Sequence, residues 1–188
     1  MPPKVKITKE DIIKTAVELV RASGAESINA RAIAAALNCS TQPIFSNFAT
    51  MELLQEAVSV AARSLYFNFI SREVESGVYP QYKAFGLAYI RFAREERELF
   101  KFLFMCDRDG KDVSPTEDFD ASVEIIMKAN CASREVAELI HMEMWAFVHG
   151  IATMFATSFL ELEWETVSDM MTDVYQGLRA RHLSEVSK

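Results

Sequence analysis

Nowhere along this chain do apolar and polar residues alternate one for one over the length of a strand on both sides of a hairpin-turn dipeptide. Apolar residues recur instead every three or four positions, in stretches bounded by Ser, Thr, Asn or Gly. With only 6 Gly and 5 Pro in 188 residues, little is present to break such stretches once they begin. An all-α fold of about nine helices is therefore expected. Hydrophobic residues make up 50% of the chain, ample material for a core.

The first helix should open at Thr8, whose hydroxyl can accept from free amides while the acids after it sit at the positive helix end. Ile12, Ile13, Ala16, Val17 and Val20 then make one apolar face, and Gly24 ends the helix as a residue tolerant of a left-handed stop. Asn29 is expected to cap a second helix over 30–37, with Ile33, Ala34 and Leu37 on its inner side. Asn38 follows, another residue that accepts positive φ. Ser40 or Thr41 should cap a short third helix ending near Phe48, with Pro43 placed early, where a missing N–H costs little. Thr50 caps a long fourth helix to about residue 75. Beyond Gly77 and Pro80, helices are expected over 80–94, 96–106, 119–130, 133–160 and 165–183. Residues 107–118 combine Gly110, Pro115 and many charges, and read as a solvated, mobile loop. The expected division is a head over 1–50 and a body over 51–188.

A formal charge of −7 argues against a nucleic-acid partner until its distribution is considered. Residues 1–50 carry six Lys/Arg and four Asp/Glu, a net +2, which leaves −9 on the other 138. A mildly basic head on an acidic body suits a protein whose head alone approaches phosphates. Cys39, Cys106 and Cys131 offer neither a disulfide framework nor a C-x-x-C pair, so a reducing cytoplasm is expected. No apolar stretch of the kind a secretory signal needs follows the first lysines. Residues 144–160 lack formal charges but fall short of the ~20 apolar residues of a bilayer span, and read as a buried helix rather than a membrane anchor.

The most informative stretch is 28–48. Two short helices meet there at a turn of about four residues. Ala34, Ala35 and Ala36 let them approach closely, and Ile33, Leu37, Ile44 and Phe48 anchor them to the first helix. Thr41, Gln42 and Ser46 are left on the outer side. A short, well-anchored rod with hydrogen-bonding side chains on its free face is what entry into a DNA major groove requires.

From Ile7 to about Val58 the chain resembles the TetR family of regulators, through Gly24, Ile33-Ala34, Ser40, Ile44-Phe45-x-x-Phe48 and Met51-Glu-Leu-Leu. Trp145-x-x-x-His149-Gly150 looks like a motif of one C-terminal subgroup of that family. The resemblance implies a three-helix helix-turn-helix head that binds double-stranded DNA, and a helical bundle for ligand binding and dimerisation. By position it implies that Arg31 would reach guanine or a phosphate, and that Thr41 and Gln42 would face base edges. Phe45 and Asn47 would rest on the sugar-phosphate, Ser40 and Ser46 would lie on the same face, and Lys6 or Lys9 would reach phosphate. Three departures stand out. The usual turn Gly is Asn38, the usual Tyr is Phe45, and the Lys that commonly starts the fourth helix is Met51, where only amide groups remain to meet phosphate. Fewer charged contacts imply a shallower salt dependence.

Residues 60–160 concentrate aromatic side chains, and 9 Met in the whole chain point to an adaptable interior able to accept a ligand. His149, between Trp145 and Gly150 in an uncharged stretch, is the polar group expected inside. Candidate pocket residues are Phe69, Phe104, Met144, Trp145, His149 and Met154, with ordinary core packing the alternative for each. His141 is two turns from His149, too far to share a metal with it, and neither Cys106 nor Cys131 has ligand spacing; no metal or cofactor is expected. The last two long helices carry more apolar stripe than one core absorbs, so Leu139, Val167, Met171, Val174 and Leu178 are expected at a homodimer seam. Two heads in one dimer imply a palindromic operator. The family resemblance implies a repressor released by a small effector, and the aromatic and methionine lining points to a hydrophobic or flat aromatic one. Two other readings are a helical ligand-binding or adaptor protein whose head meets another protein, and an enzyme. Against the enzyme, no nucleophile with a nearby base, phosphate-cradling glycine loop or paired-carboxylate spacing stands out.

Overall fold

The computed structural model of the protein describes residues 7–105 and 117–184. Nine α-helices occur among them: α1 Lys9–Ser23, α2 Ala30–Ala36, α3 Gln42–Asn47, α4 Met51–Glu75, α5 Gln81–Glu95, α6 Arg97–Phe104, α7 Glu117–Asn130, α8 Arg134–Ala156 and α9 Trp164–Ser184. The fold is all-α. The loop expected over 107–118 lies outside the described residues, apart from the first turn of α7 at its end. The chain divides into two compact units, Met1–Asn68 with Glu95–Cys106 and Phe69–Arg94 with Asp107–Lys188. The first of these units takes in most of α4 and also α6.

In the first unit α1 is the hub. A capping box starts it: the Asp11 amide donates to the Thr8 hydroxyl at 3.1 Å, and the Thr8 amide donates to the Asp11 carboxylate at 3.0 Å. Ile12, Ala16, Val17 and Val20 form one buried stripe, and α2, α3 and α6 pack against this helix. Ile12, Val17 and Val20, buried as they are, each contribute about 1.5–3 kcal/mol. Arg21 adds a two-pronged bond to Glu96, just before α6, with Nε at 2.7 Å from one carboxylate oxygen and Nη2 at 3.0 Å from the other. On α4, Leu54, Val58, Ala62 and Tyr66 are buried at successive four-residue steps, and the Tyr66 ring meets Phe104 edge-on at 5.3 Å.

The second unit is built on α8. Its buried side (Ala137, Ile140, Met144, Val148, Ile151, Phe155) packs against α7 and α9. α8 is long and apolar enough to cross a membrane by length and composition, yet this packing is that of a core helix. Gly86 on α5 leaves room for the end of the Met171 side chain from α9, since a Cβ there would lie 2.5 Å from the Met171 Cε. α8 stops at Ala156 rather than continuing to 160 as expected. Ser158 turns left-handed at φ 55°, and the Phe159 amide donates back to the Met154 carbonyl at 2.9 Å, which closes the helix and leaves Phe159 79% exposed.

Gly24, which ends α1, has φ 81° and ψ 179°, a region open to glycine and scarcely to any other residue. A Cβ there would also stand 3.0 Å from the Glu98 carboxylate. Gly24→Ala is expected to lower stability by about 1–3 kcal/mol, read as a shift of the urea midpoint with an unchanged slope.

Candidate nucleic-acid interface and ligand site

The helix-turn-helix is assembled from caps inward. Asn29 accepts the Ala32 amide at 2.9 Å and starts α2. α2 ends where Asn38 turns left-handed at φ 51°, with the Cys39 amide returning to the Ala34 carbonyl at 2.9 Å. Asn does here what Gly does elsewhere, as its short polar side chain tolerates this conformation. Thr41 stands at the N-cap of α3 but its backbone is already helical (φ −73°, ψ −13°) and its side chain makes no bond to the free amides. Two bonds to carbonyls one turn back brace the six-residue helix instead, Ser46 Oγ to Gln42 O at 2.9 Å and Asn47 Nδ2 to Pro43 O at 2.8 Å.

Ile44 and Phe48 are buried beneath α3, and Gln42, Phe45 and Ser46 are exposed on it, with 52% of Phe45 open to solvent. Arg31 on α2 and Ser40 in the turn are exposed as well, whereas Thr41, Asn47 and Met51 are half-buried. Lys6 lies outside the described residues. Lys9 sits 5.0 Å over the face of Phe48, a cation–π contact that spacing along the chain does not reveal.

Of the six pocket candidates, Phe104 belongs to the first unit and Phe69, Met144, Trp145, His149 and Met154 to the second. Phe104 packs on Phe100 and Tyr66 in the first unit. In the second unit Met144 is buried in the α8 core, Met154 is half-buried, and Trp145 is largely exposed. Neighbours on a helix diverge by about 100°, so Met144 and Trp145 face different ways. Trp145 instead stacks flat on His149 one turn later (centroids 5.2 Å, planes 13° apart), and His149 Nδ1 is 2.9 Å from the Tyr89 hydroxyl. Among the seam candidates, Val167 and Met171 are buried inside the protomer, Val174 and Leu178 are half-buried, and Leu139 is exposed. Helical periodicity identifies an apolar face but not which body covers it, and for Val167 and Met171 that body is the protomer's own core. The surface of α8 carries Leu139, Met142 and Trp145.

A cleft of about 380 Å³ opens where the end of α4 meets α5 and the start of α9. Its walls are Phe69, Arg72, Glu73, Ser76, Val78, Tyr79, Arg91 and Trp164. Of the pocket candidates, it contains Phe69. Its other residues were not singled out from the sequence, although Arg91 was a usable signal as a lone charge between the buried Ile90 and Phe92 of α5. Arg91 Nε donates to Glu73 at 3.1 Å, and its guanidinium lies 4.3 Å over Trp164.

Residues 82–175, half of the chain, match a family described as tetracyclin repressor-like, C-terminal domain. The chain therefore belongs to the tetracycline repressor-like (TetR) family of regulators. No curated protein matches it.

Burial also shapes the chemistry of the second unit. Desolvation lowers the pKa of His141 to about 4 and raises that of Tyr82, so both stay neutral near pH 7, joined by a hydrogen bond of 3.0 Å between the Tyr82 hydroxyl and His141 Nδ1. In the unfolded chain His141 protonates near its ordinary 6.5. Between these two values the unfolded state holds more protons, so stability rises with pH and is lost as pH falls from about 6.5 toward 4. His141→Gln is expected to flatten this limb relative to the wild type in urea melts run across that window.

Proposed function

We propose that this protein is a ligand-responsive, DNA-binding transcriptional repressor that works in the cytoplasm as a homodimer on a palindromic operator. The observation that carries the reading is the outer side of α3, with Gln42, Phe45 and Ser46 exposed and Ile44 and Phe48 buried behind them. In this role Gln42 reads a base edge, with adenine as the best match for its amide, and Arg31 at the start of α2 takes guanine or a phosphate. Thr41 faces a base edge beside Gln42; Phe45, Ser40, Ser46 and Asn47 line the approach to the sugar-phosphate, and the amides at the start of α4 replace a lysine at Met51. Lys6 is assigned to phosphate by its position before α1.

A basic head on an acidic body favours this reading over a protein-binding adaptor, since the acidic surface is repelled by the duplex and leaves one face for approach. Dimerisation through the exposed apolar side chains of α8, with help from Val174 and Leu178 on α9, brings two heads onto one duplex. A small hydrophobic or aromatic effector that prefers one head spacing a hundredfold shifts the equilibrium by ~2.7 kcal/mol, enough to release the operator.

Arg31→Ala and Gln42→Ala are each expected to weaken binding to an operator in the DNA beside the protein's own gene by about 5- to 150-fold in a gel-shift, without loss of thermal stability, because both side chains are exposed. Full affinity in both variants would refute the assignment of this face, and no binding to any DNA at low salt would favour the adaptor. Leu139→Glu, on the exposed side of α8, is expected to convert dimer to monomer in light scattering; a dimer that persists at micromolar concentration argues for a different seam.

A further inference from the structure

The cleft at the end of α4 sets two arginines and one carboxylate among aromatic walls. Arg91 and Glu73 form an ion pair, which makes one cation and one carboxylate cancel. Arg72 is a second cation on the same wall, exposed, with its guanidinium 5.8 Å over the ring of Phe69. Among the described residues no carboxylate pairs with it. With its Cζ above the Phe69 ring and no carboxylate on it, Arg72 has N–H groups to offer a planar two-oxygen acceptor. Tyr79 and Trp164 supply further aromatic surface, and the volume of about 380 Å³ lies within the range of small-molecule sites. A neutral aromatic would leave the guanidinium unanswered, an inorganic anion would leave the rings wet, and an amine would meet a like charge.

We infer that this cleft binds a planar aromatic carboxylic acid, its carboxylate held in a two-pronged bond by Arg72 and its ring lodged among Phe69, Tyr79 and Trp164. That this acid is the effector rests on the regulator function proposed above.

The test uses the full chain in calorimetric titrations with 2-naphthoate and with its neutral analogue 2-naphthalenemethanol. 2-Naphthoate is expected to bind once per chain and more tightly than the alcohol. It should shift the indole N–H resonance that is missing from Trp164→Phe. Arg72→Gln should weaken it about tenfold or more, and Arg72→Lys by less, with unchanged melting temperatures because Arg72 is exposed. Absence of saturable binding, a shift confined to Trp145, equal affinity for the alcohol, or full affinity in Arg72→Gln would overturn the inference. Operator binding with and without 2-naphthoate separates the two readings. If operator affinity is unchanged while the cleft is filled, the effector role fails and the regulator stands. If no DNA binds but Arg72-dependent binding of 2-naphthoate persists, the regulator reading fails and the acid site stands.

Discussion

Ile12, Ala16, Val17 and Val20 are withdrawn from water along one side of α1, and three other helices close over that single helix. The head exists because of this stripe. α2 has seven residues and α3 six, far below the length at which a helix survives in water by itself. Their shape is borrowed from the surface they cover, through Ile33, Ala34, Ile44 and Phe48. Against several side chains at about 1.5–3 kcal/mol each, the partly exposed Arg21–Glu96 pair is a small term, near the ~1 kcal/mol of surface ion pairs. Its contribution is direction: a guanidinium fork fits a carboxylate in one plane, and so fixes the start of α6 relative to α1.

The second unit follows a different rule. Its interior admits polar groups that are joined by hydrogen bonds: Tyr82 with His141, Tyr89 with His149, and Asn130 with Tyr175. A neutral hydrogen bond satisfies a buried group without the desolvation cost of an ion. The cleft adds a buried carboxylate, Glu73. There Arg91 is tolerated between buried neighbours because Glu73 and the Trp164 face replace its water.

Much of the helical framework was legible in the residues. Thr8, Asn29, Thr50 and Ser133 each accept an amide three residues on, as a side-chain oxygen at a helix start must. Asn38 takes the left-handed turn that its chemistry permits. The failures have common causes. The end of α8 was misread because Phe159 and Leu160 prolong the apolar pattern past Ser158, and a pattern carries no record of the backbone turning over. Thr41 was misread because capping depends on ψ at one residue, which neighbours in space decide. The candidate ligand site was barely legible at all. Phe69 was named, but Arg72, Glu73, Arg91 and Trp164 converge from three helices.

What the sequence by itself determined are the properties written within one turn of helix: the all-α class, most helix starts and stops, and the inner and outer sides of α3. These depend on residues three or four apart, whose relation is set by the 3.6-residue repeat alone. Tertiary structure alone decided that α6 belongs with α1, that Val167 and Met171 serve the protomer's own core, and that two arginines and three aromatic rings share one cleft. Each of these pairs side chains distant along the chain, and hydrophobic burial, being non-directional, does not name its partner in advance.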